Sequence, residues 1–168
     1  MQSHRESKKR HCRTFFIAGL TALTMLTAAF QSTGQDTGKE TTYSRISVHV
    51  TGFRNDLGIA RIALFTSADG FPDNTKKAYK TMSGVIEKGA YTAVFDTVPF
   101  GEYAVSAYHD ANGNGKLDKK WFRIPAEGYG ASNNKHAERR GPEFDESSFN
   151  VHAEETTINI ELRYLFND

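Results

Sequence analysis

From position 44 onward, apolar and polar residues alternate along the chain. In Ser44 to Gly52, Ile46, Val48 and Val50 are separated by polar side chains. That is the period of two of a strand buried on one face. Asn55-Asp56-Leu57-Gly58 carries turn chemistry, and residues 59–66 form a second strand with Ile62 and Leu64 on one face. These two strands are expected to pair as a hairpin. Residues 67–75 read as a loop around Asp69-Gly70-Phe71-Pro72, and residues 75–81 as no more than one helical turn. Strands follow at 82–87 and 90–95 around a tight Lys88-Gly89 turn, and Asp96 to Gly101 breaks the pattern. Residues 102–109 are apolar on both faces, which predicts a central strand.

Residues 119–147 carry no convincing period. An irregular stretch of that length is uncommon in a compact domain unless something orders it. Trp121, Phe122, Ile124, Tyr129 and Phe144 give it a means of packing down. Strands resume at 148–152 and 156–164, the latter with Ile158, Ile160 and Leu162 on one face. About seven short strands punctuated by turns predict an all-β fold, a single antiparallel β-sandwich with one long irregular loop.

The region before the strands is different. Arg5, Lys8, Lys9, Arg10 and Arg13 precede an uncharged run from Phe15 to Phe30, and Thr27-Ala28-Ala29 supplies small residues for cleavage. This is the layout of a secretory signal peptide. The alternative, a retained anchor, needs roughly 20 apolar residues, whereas this run has 16 and is rich in Thr and Ala. The expected organisation is a signal peptide over 1–29, a flexible linker over 30–43 and a sandwich over 44–166. The mature protein would then be periplasmic or secreted. The single cysteine, Cys12, lies in the leader, so the sandwich has neither a disulfide nor a thiolate. Without the leader's five basic residues and one Glu, 16 basic residues face 19 acidic ones, and the formal +1 becomes −3. That balance offers no basic stripe for nucleic acid, and no segment after the leader is apolar enough to span a membrane.

Against this background, Tyr108 to Asp118 stands out as a candidate calcium loop. Calcium takes six to eight oxygen ligands, and the EF-hand loop supplies them from positions 1, 3, 5, 7 and 9 with a Gly at 6. Counting from Asp110, those positions are Asp110, Asn112, Asn114, Lys116 (through its carbonyl) and Asp118, with Gly115 at the sixth. The twelfth would be Trp121, so the usual bidentate Glu is missing, and Glu127 from the long loop is the substitute expected. Two carboxylates and one conjectural third predict weak, near-millimolar affinity. The competing reading is a plain turn, because Asn and Gly tolerate positive φ and Asp caps backbone amides.

A second candidate is a sugar-stacking platform of Trp121, Phe122 and Tyr129 with Glu127, Asn133 and Asn134. The alternative is that these rings plug one end of the sandwich. His49, His109, His136 and His152 lack zinc-site spacing. His109 and Asp110, as strand neighbours, point to opposite faces. No nucleophile elbow or phosphate loop is present, and no carboxylate pair stands out for a hydrolase.

Several motifs resemble one secreted bacterial family, domain of unknown function 2141. They are Gly52 to Gly58, Ala63-Leu64-Phe65, Asp69 to Pro72, Val98 to Val105, the Tyr108 to Asp118 loop and Ile124 to Asn134, in that order over residues 44–164. The piece from Pro99 to Val105 is also similar to the last turn and strand of transthyretin-like and carboxypeptidase-regulatory-like sandwiches. The resemblance implies a transthyretin- or immunoglobulin-like sandwich, an extracytoplasmic location and no known activity. Lys135 to Arg140 is more charged than the resemblance leads one to expect. Function therefore reads as a non-enzymatic extracytoplasmic module, calcium-stabilised, serving the envelope or binding a partner. The alternatives are a glycan-binding module on the 121–134 loop, or a hydrolase.

Overall fold

A computed structural model of the chain describes residues 42–121, 124–134 and 141–166. The leader, most of the linker, Phe122 and the charged segment around His136 lie outside the described residues. The strands are β1 (Tyr43–Thr51), β2 (Ile59–Phe65), β3 (Lys80–Gly84), β4 (Ala90–Pro99), β5 (Gly101–Asp110), β6 (Tyr129–Ala131), β7 (Phe149–Val151) and β8 (Glu155–Glu161). One short helix, α1 (Phe144–Ser147), precedes β7. Among the described residues no helix is long and apolar enough to cross a membrane.

Two sheets form a sandwich. The first has the order β4-β1-β8, and the second runs β3-β2-β5-β6 with β7 also on β5. The β1–β8 pair is parallel, Val48 standing beside Ile158, and the other paired strands are antiparallel. Between the sheets, Ile46, Val48 and Val50 of β1 meet Ile62 and Leu64 of β2, Phe95 of β4, Val105 of β5 and Ile160 of β8. These are the alternating positions of the sequence, and their burial is the main favourable term in the fold.

The expected β1–β2 hairpin does not form. Turn residues do lie at 55–58, where the Leu57 amide donates to Asn55 Oδ1 at 2.9 Å and Gly58 adopts φ 76°. The loop carries the chain from one sheet to the other, so β1 pairs with β4 and β8 while β2 pairs with β3 and β5. Asp56 holds it there by accepting the amides of Lys88 and Gly89 at 3.0 and 2.7 Å. The pattern break at 96–101 is a bulge within β4, with Thr97 at φ 55° and a register shift opposite Ser44 and Ile46. The strand therefore continues to Pro99.

β5 is central, as both its apolar faces require. β2 covers one edge, and β7 and β6 share the other, at Gly101–Tyr103 and Ser106–Tyr108. Its outer face is buried too: Ala104 joins Ala63, Phe65 and Phe144, with Phe71 and Ala78 packed against them. The described residues of the long irregular stretch are thus ordered. They supply β6, a turn at Ser132–Asn134, and α1 as a lid on the second sheet.

Candidate functional site

Asp110 closes β5 on the outer face of the second sheet and is fully buried. A buried carboxylate is costly unless donors surround it, and four bonds reach this one. Oδ1 accepts the Asn114 amide at 2.9 Å, and Oδ2 accepts the Gly115 amide at 2.9 Å. Arg61 adds Nε and Nη2, each 2.9 Å from Oδ2. The register explains the meeting: Arg61 stands opposite Tyr108 and Ile59 opposite Asp110, so Arg61 and Asp110 are diagonal neighbours on one face. Gly58 is required alongside, because a Cβ there would overlap the Asp110 carbonyl.

From Asp110 the loop coils on itself. Gly113 and Gly115 take φ 70° and 79°. Asn112 Oδ1 accepts the Asn114 amide at 3.1 Å, and Asn114 Oδ1 accepts the Lys116 amide at 2.9 Å. The side-chain amides then converge on Asp118: Asn112 Nδ2 lies 2.8 Å from Oδ2, and Asn114 Nδ2 lies 3.1 and 3.0 Å from the two oxygens. Positions 3, 5 and 9 of the expected ion loop therefore face one another beside position 1. The Lys116 side chain is exposed and takes no part in that cluster.

Glu127 is buried, and both of its carboxylate oxygens bond the backbone. Oε1 accepts the Ala111 amide at 2.9 Å and Oε2 the Asp118 amide at 3.0 Å. It braces both ends of the loop, a role different from the sixth ligand expected of it. The returning segment is fixed by Ala126 N to Asp118 O and His109 N to Gly128 O, both 2.8 Å.

Among the described residues no group of three or more His, Cys, Asp or Glu is placed to hold a metal. An ion in this loop would depend on Asp118, the free lone-pair capacity of Asp110 Oδ1, the amide oxygens of Asn112 and Asn114, and the Lys116 carbonyl. The donor types suit a hard cation. Binding would require the two side-chain amides now donating to Asp118 to turn, and Asp110 to remain shared with Arg61. Both requirements lower affinity.

His109 points the other way, into the space between the sheets. Its ring is edge-on to Phe53 at 5.4 Å, its Nε2 lies 2.6 Å from the Leu57 carbonyl and its Nδ1 lies 2.7 Å from the Tyr164 hydroxyl. Burial raises the Tyr164 and Tyr108 pKa values above their usual range, the nearby Arg54 and Arg61 respectively opposing that rise. His49 bonds Thr92 at 2.9 Å, and His152 is exposed.

The expected sugar platform is not assembled as a unit. Trp121 is 87% exposed, whereas Tyr129 is buried and lines a separate cavity of about 600 Å³ with Phe71, Pro72, Pro125 and Phe144. Asn133 Nδ2 donates to the carbonyls of Glu146 and Ser148, and Asn134 Oδ1 accepts the Glu161 amide at 3.0 Å. Sequence reasoning missed Arg61. It lies 49 positions before Asp110, and only the β2–β5 register brings the two together.

No curated protein and no solved structure matches the chain. Residues 48–159 match the family described as an uncharacterized protein conserved in bacteria, DUF2141. That span runs from within β1 to within β8 and includes the whole 110–127 loop system, and the chain belongs to this family.

Proposed function

We propose that the chain is a non-enzymatic, extracytoplasmic β-sandwich module that binds calcium weakly in the 110–118 loop, as a structural clip at one end of the sandwich. The observation that carries this reading is the meeting of the Asn112 and Asn114 side-chain amides at Asp118, their nitrogens 2.8–3.1 Å from its oxygens, beside Asp110. A coil of alternating oxygen-bearing side chains is the arrangement a hard cation selects. The extracytoplasmic location is supported by the leader's charge and apolar layout, and weak, near-millimolar calcium sites are the kind that extracellular modules use.

Thermal unfolding tests it. With a dissociation constant of about 1 mM, 10 mM calcium adds about 1.4 kcal/mol, which raises the melting temperature by several degrees. EDTA should reverse the shift and Asp118→Ala should remove it. A melting temperature indifferent to calcium in the unaltered protein refutes the ion.

One observation favours a second reading, glycan binding: Trp121 presents most of its ring to solvent. With Tyr129, Asn133 and Asn134 engaged elsewhere, Trp121 would be the main stacking surface. A glycan array on the protein and on Trp121→Ala decides it: a hit lost in the variant supports the reading, and a blank array rejects it. A hydrolase is the least supported reading, because Asp110 and Glu127 are bound by backbone amides and Arg61.

A further inference from the structure

The 110–118 coil holds two Asn-Gly dipeptides, Asn112-Gly113 and Asn114-Gly115. Asparagine before glycine is open to a reaction of its own, because a glycine amide nitrogen with no Cβ beside it can reach the Cγ of the preceding side chain. Both pairs are exposed, so the sequence treats them alike. The structure does not. The Gly115 amide donates to Asp110 Oδ2 at 2.9 Å, a charge-assisted bond to a fully buried carboxylate. The Asn114 side chain is fixed at both of its polar atoms. Its Oδ1 accepts the Lys116 amide at 2.9 Å, and its Nδ2 lies 3.1 and 3.0 Å from the two Asp118 oxygens. Gly113 is held far less. Its amide lies 3.4 Å from the Asp110 carbonyl, a neutral acceptor beyond the usual bonding range. Among the described residues, nothing stands within 4 Å of the place a Gly113 Cβ would take. Asn112 Nδ2 meets one oxygen of Asp118, and its Oδ1 shares the Asn114 amide with Asp110.

We infer that Asn112 is a site of spontaneous deamidation, and that Asp110 protects Asn114 from the same reaction. Gly113 gives its amide proton to water, and its nitrogen bonds Asn112 Cγ. The Cγ–Nδ2 bond breaks, and ammonia leaves with a proton returned by water. Water then opens either C–N bond of the cyclic imide, giving aspartate or isoaspartate. Water is consumed and ammonia released, with no change of oxidation state. At Asn114 the Gly115 nitrogen must first leave a carboxylate, which slows the reaction there by about tenfold or more. The product alters the coil, because a carboxylate replaces the Nδ2 donor that faces Asp118 Oδ2. The inference stands apart from the calcium reading.

Peptide mass spectrometry tests it. The unaltered protein is held in EDTA at mildly alkaline pH, below its melting transition, and sampled over time. Fragmentation places the amide-to-acid mass gain. Asn112 should convert about tenfold or more faster than Asn114. In denaturing urea both glycine amides are free, and the two rates should agree within about threefold. Asp110→Ala, shown to be folded by circular dichroism, should bring Asn114 up toward the Asn112 rate. An Asn114 rate equal to or above that of Asn112 in the folded protein overturns the inference. So does a ratio that urea leaves unchanged, or an Asn112 that stays intact in the folded protein while it converts in urea. Slow Asn114 conversion in folded Asp110→Ala protein overturns the protective role of Asp110.

Discussion

Replacing Asp110 with alanine should destabilise the sandwich far more than a loop substitution ordinarily does. The carboxylate is fully buried and accepts the amides of Asn114 and Gly115 together with two bonds from Arg61. Hydrogen bonds to a charged group contribute about 1.5–3 kcal/mol each, so the two amides set a gross loss of about 3–6 kcal/mol. Arg61 adds little, because its side chain is 32% exposed and can turn to water, as exposed ion pairs are worth about 0–1 kcal/mol. Two effects work against the loss: burying the carboxylate no longer costs desolvation, and Asn114 and Gly115 are exposed enough for water to replace their acceptor. The net expectation is about 2–4 kcal/mol. Urea unfolding should show a midpoint lower by about 1 M or more at unchanged slope. Hydrogen exchange should show the amides of Asn114 and Gly115 losing protection while Val105 in mid-β5 keeps its own. A loss below about 1 kcal/mol, or unchanged protection at those two amides, would refute the view that Asp110 organises the loop.

Other consequences are as direct. Gly58→Ala combines a left-handed φ of 76° with overlap of the Asp110 carbonyl, and should cost more than about 2 kcal/mol in the same unfolding assay. His109 should carry a proton on Nε2, because the Leu57 carbonyl 2.6 Å away can only accept; long-range proton–nitrogen correlation spectra read which ring nitrogen holds it. Burial raises the pKa of Tyr103 and Tyr164 above the usual 10.0. The folded state then holds those protons more tightly than the unfolded one, so this contribution is complete below pH 10 and is lost as pH rises through the higher folded values. The urea midpoint should fall in that alkaline range, and less steeply in Tyr164→Phe.

Much of the fold was legible because burial on one face leaves a mark at every second residue. Ile46, Val48 and Val50 declared β1, and the doubly apolar 102–109 run declared a central β5. Alternation fixes which face is buried but not which strand lies alongside. The turn at 55–58 therefore read as a hairpin, although Asp56 ties it to the Lys88-Gly89 turn and it bridges the two sheets. β6 has only three residues, Tyr129-Gly130-Ala131, too few to show a period. Its place on β5 comes from partners distant in sequence.

The loop followed the same division. Its coil was legible, since Asn and Gly at alternate positions dictate local turns that Gly113 and Gly115 adopt. Its bracing was not. Arg61 belongs to β2, and Glu127 contacts amides at both ends of the loop through the fold of the long segment between. Trp121, grouped by sequence with Tyr129, parts from it because Tyr129 pairs into β6 beside Tyr108 while Trp121 stays on the exposed turn.

The central claim is that the 110–118 coil takes a calcium ion, and an amide-resolved calcium titration of the protein by NMR tests it most directly. Calcium should shift only residues 110–118 and their brace at 126–128, saturating with a single dissociation constant near 1 mM, and should shift none of them in Asp118→Ala. A titration that leaves those amides unmoved at 10 mM calcium, or moves surface carboxylates across the molecule alike, contradicts it.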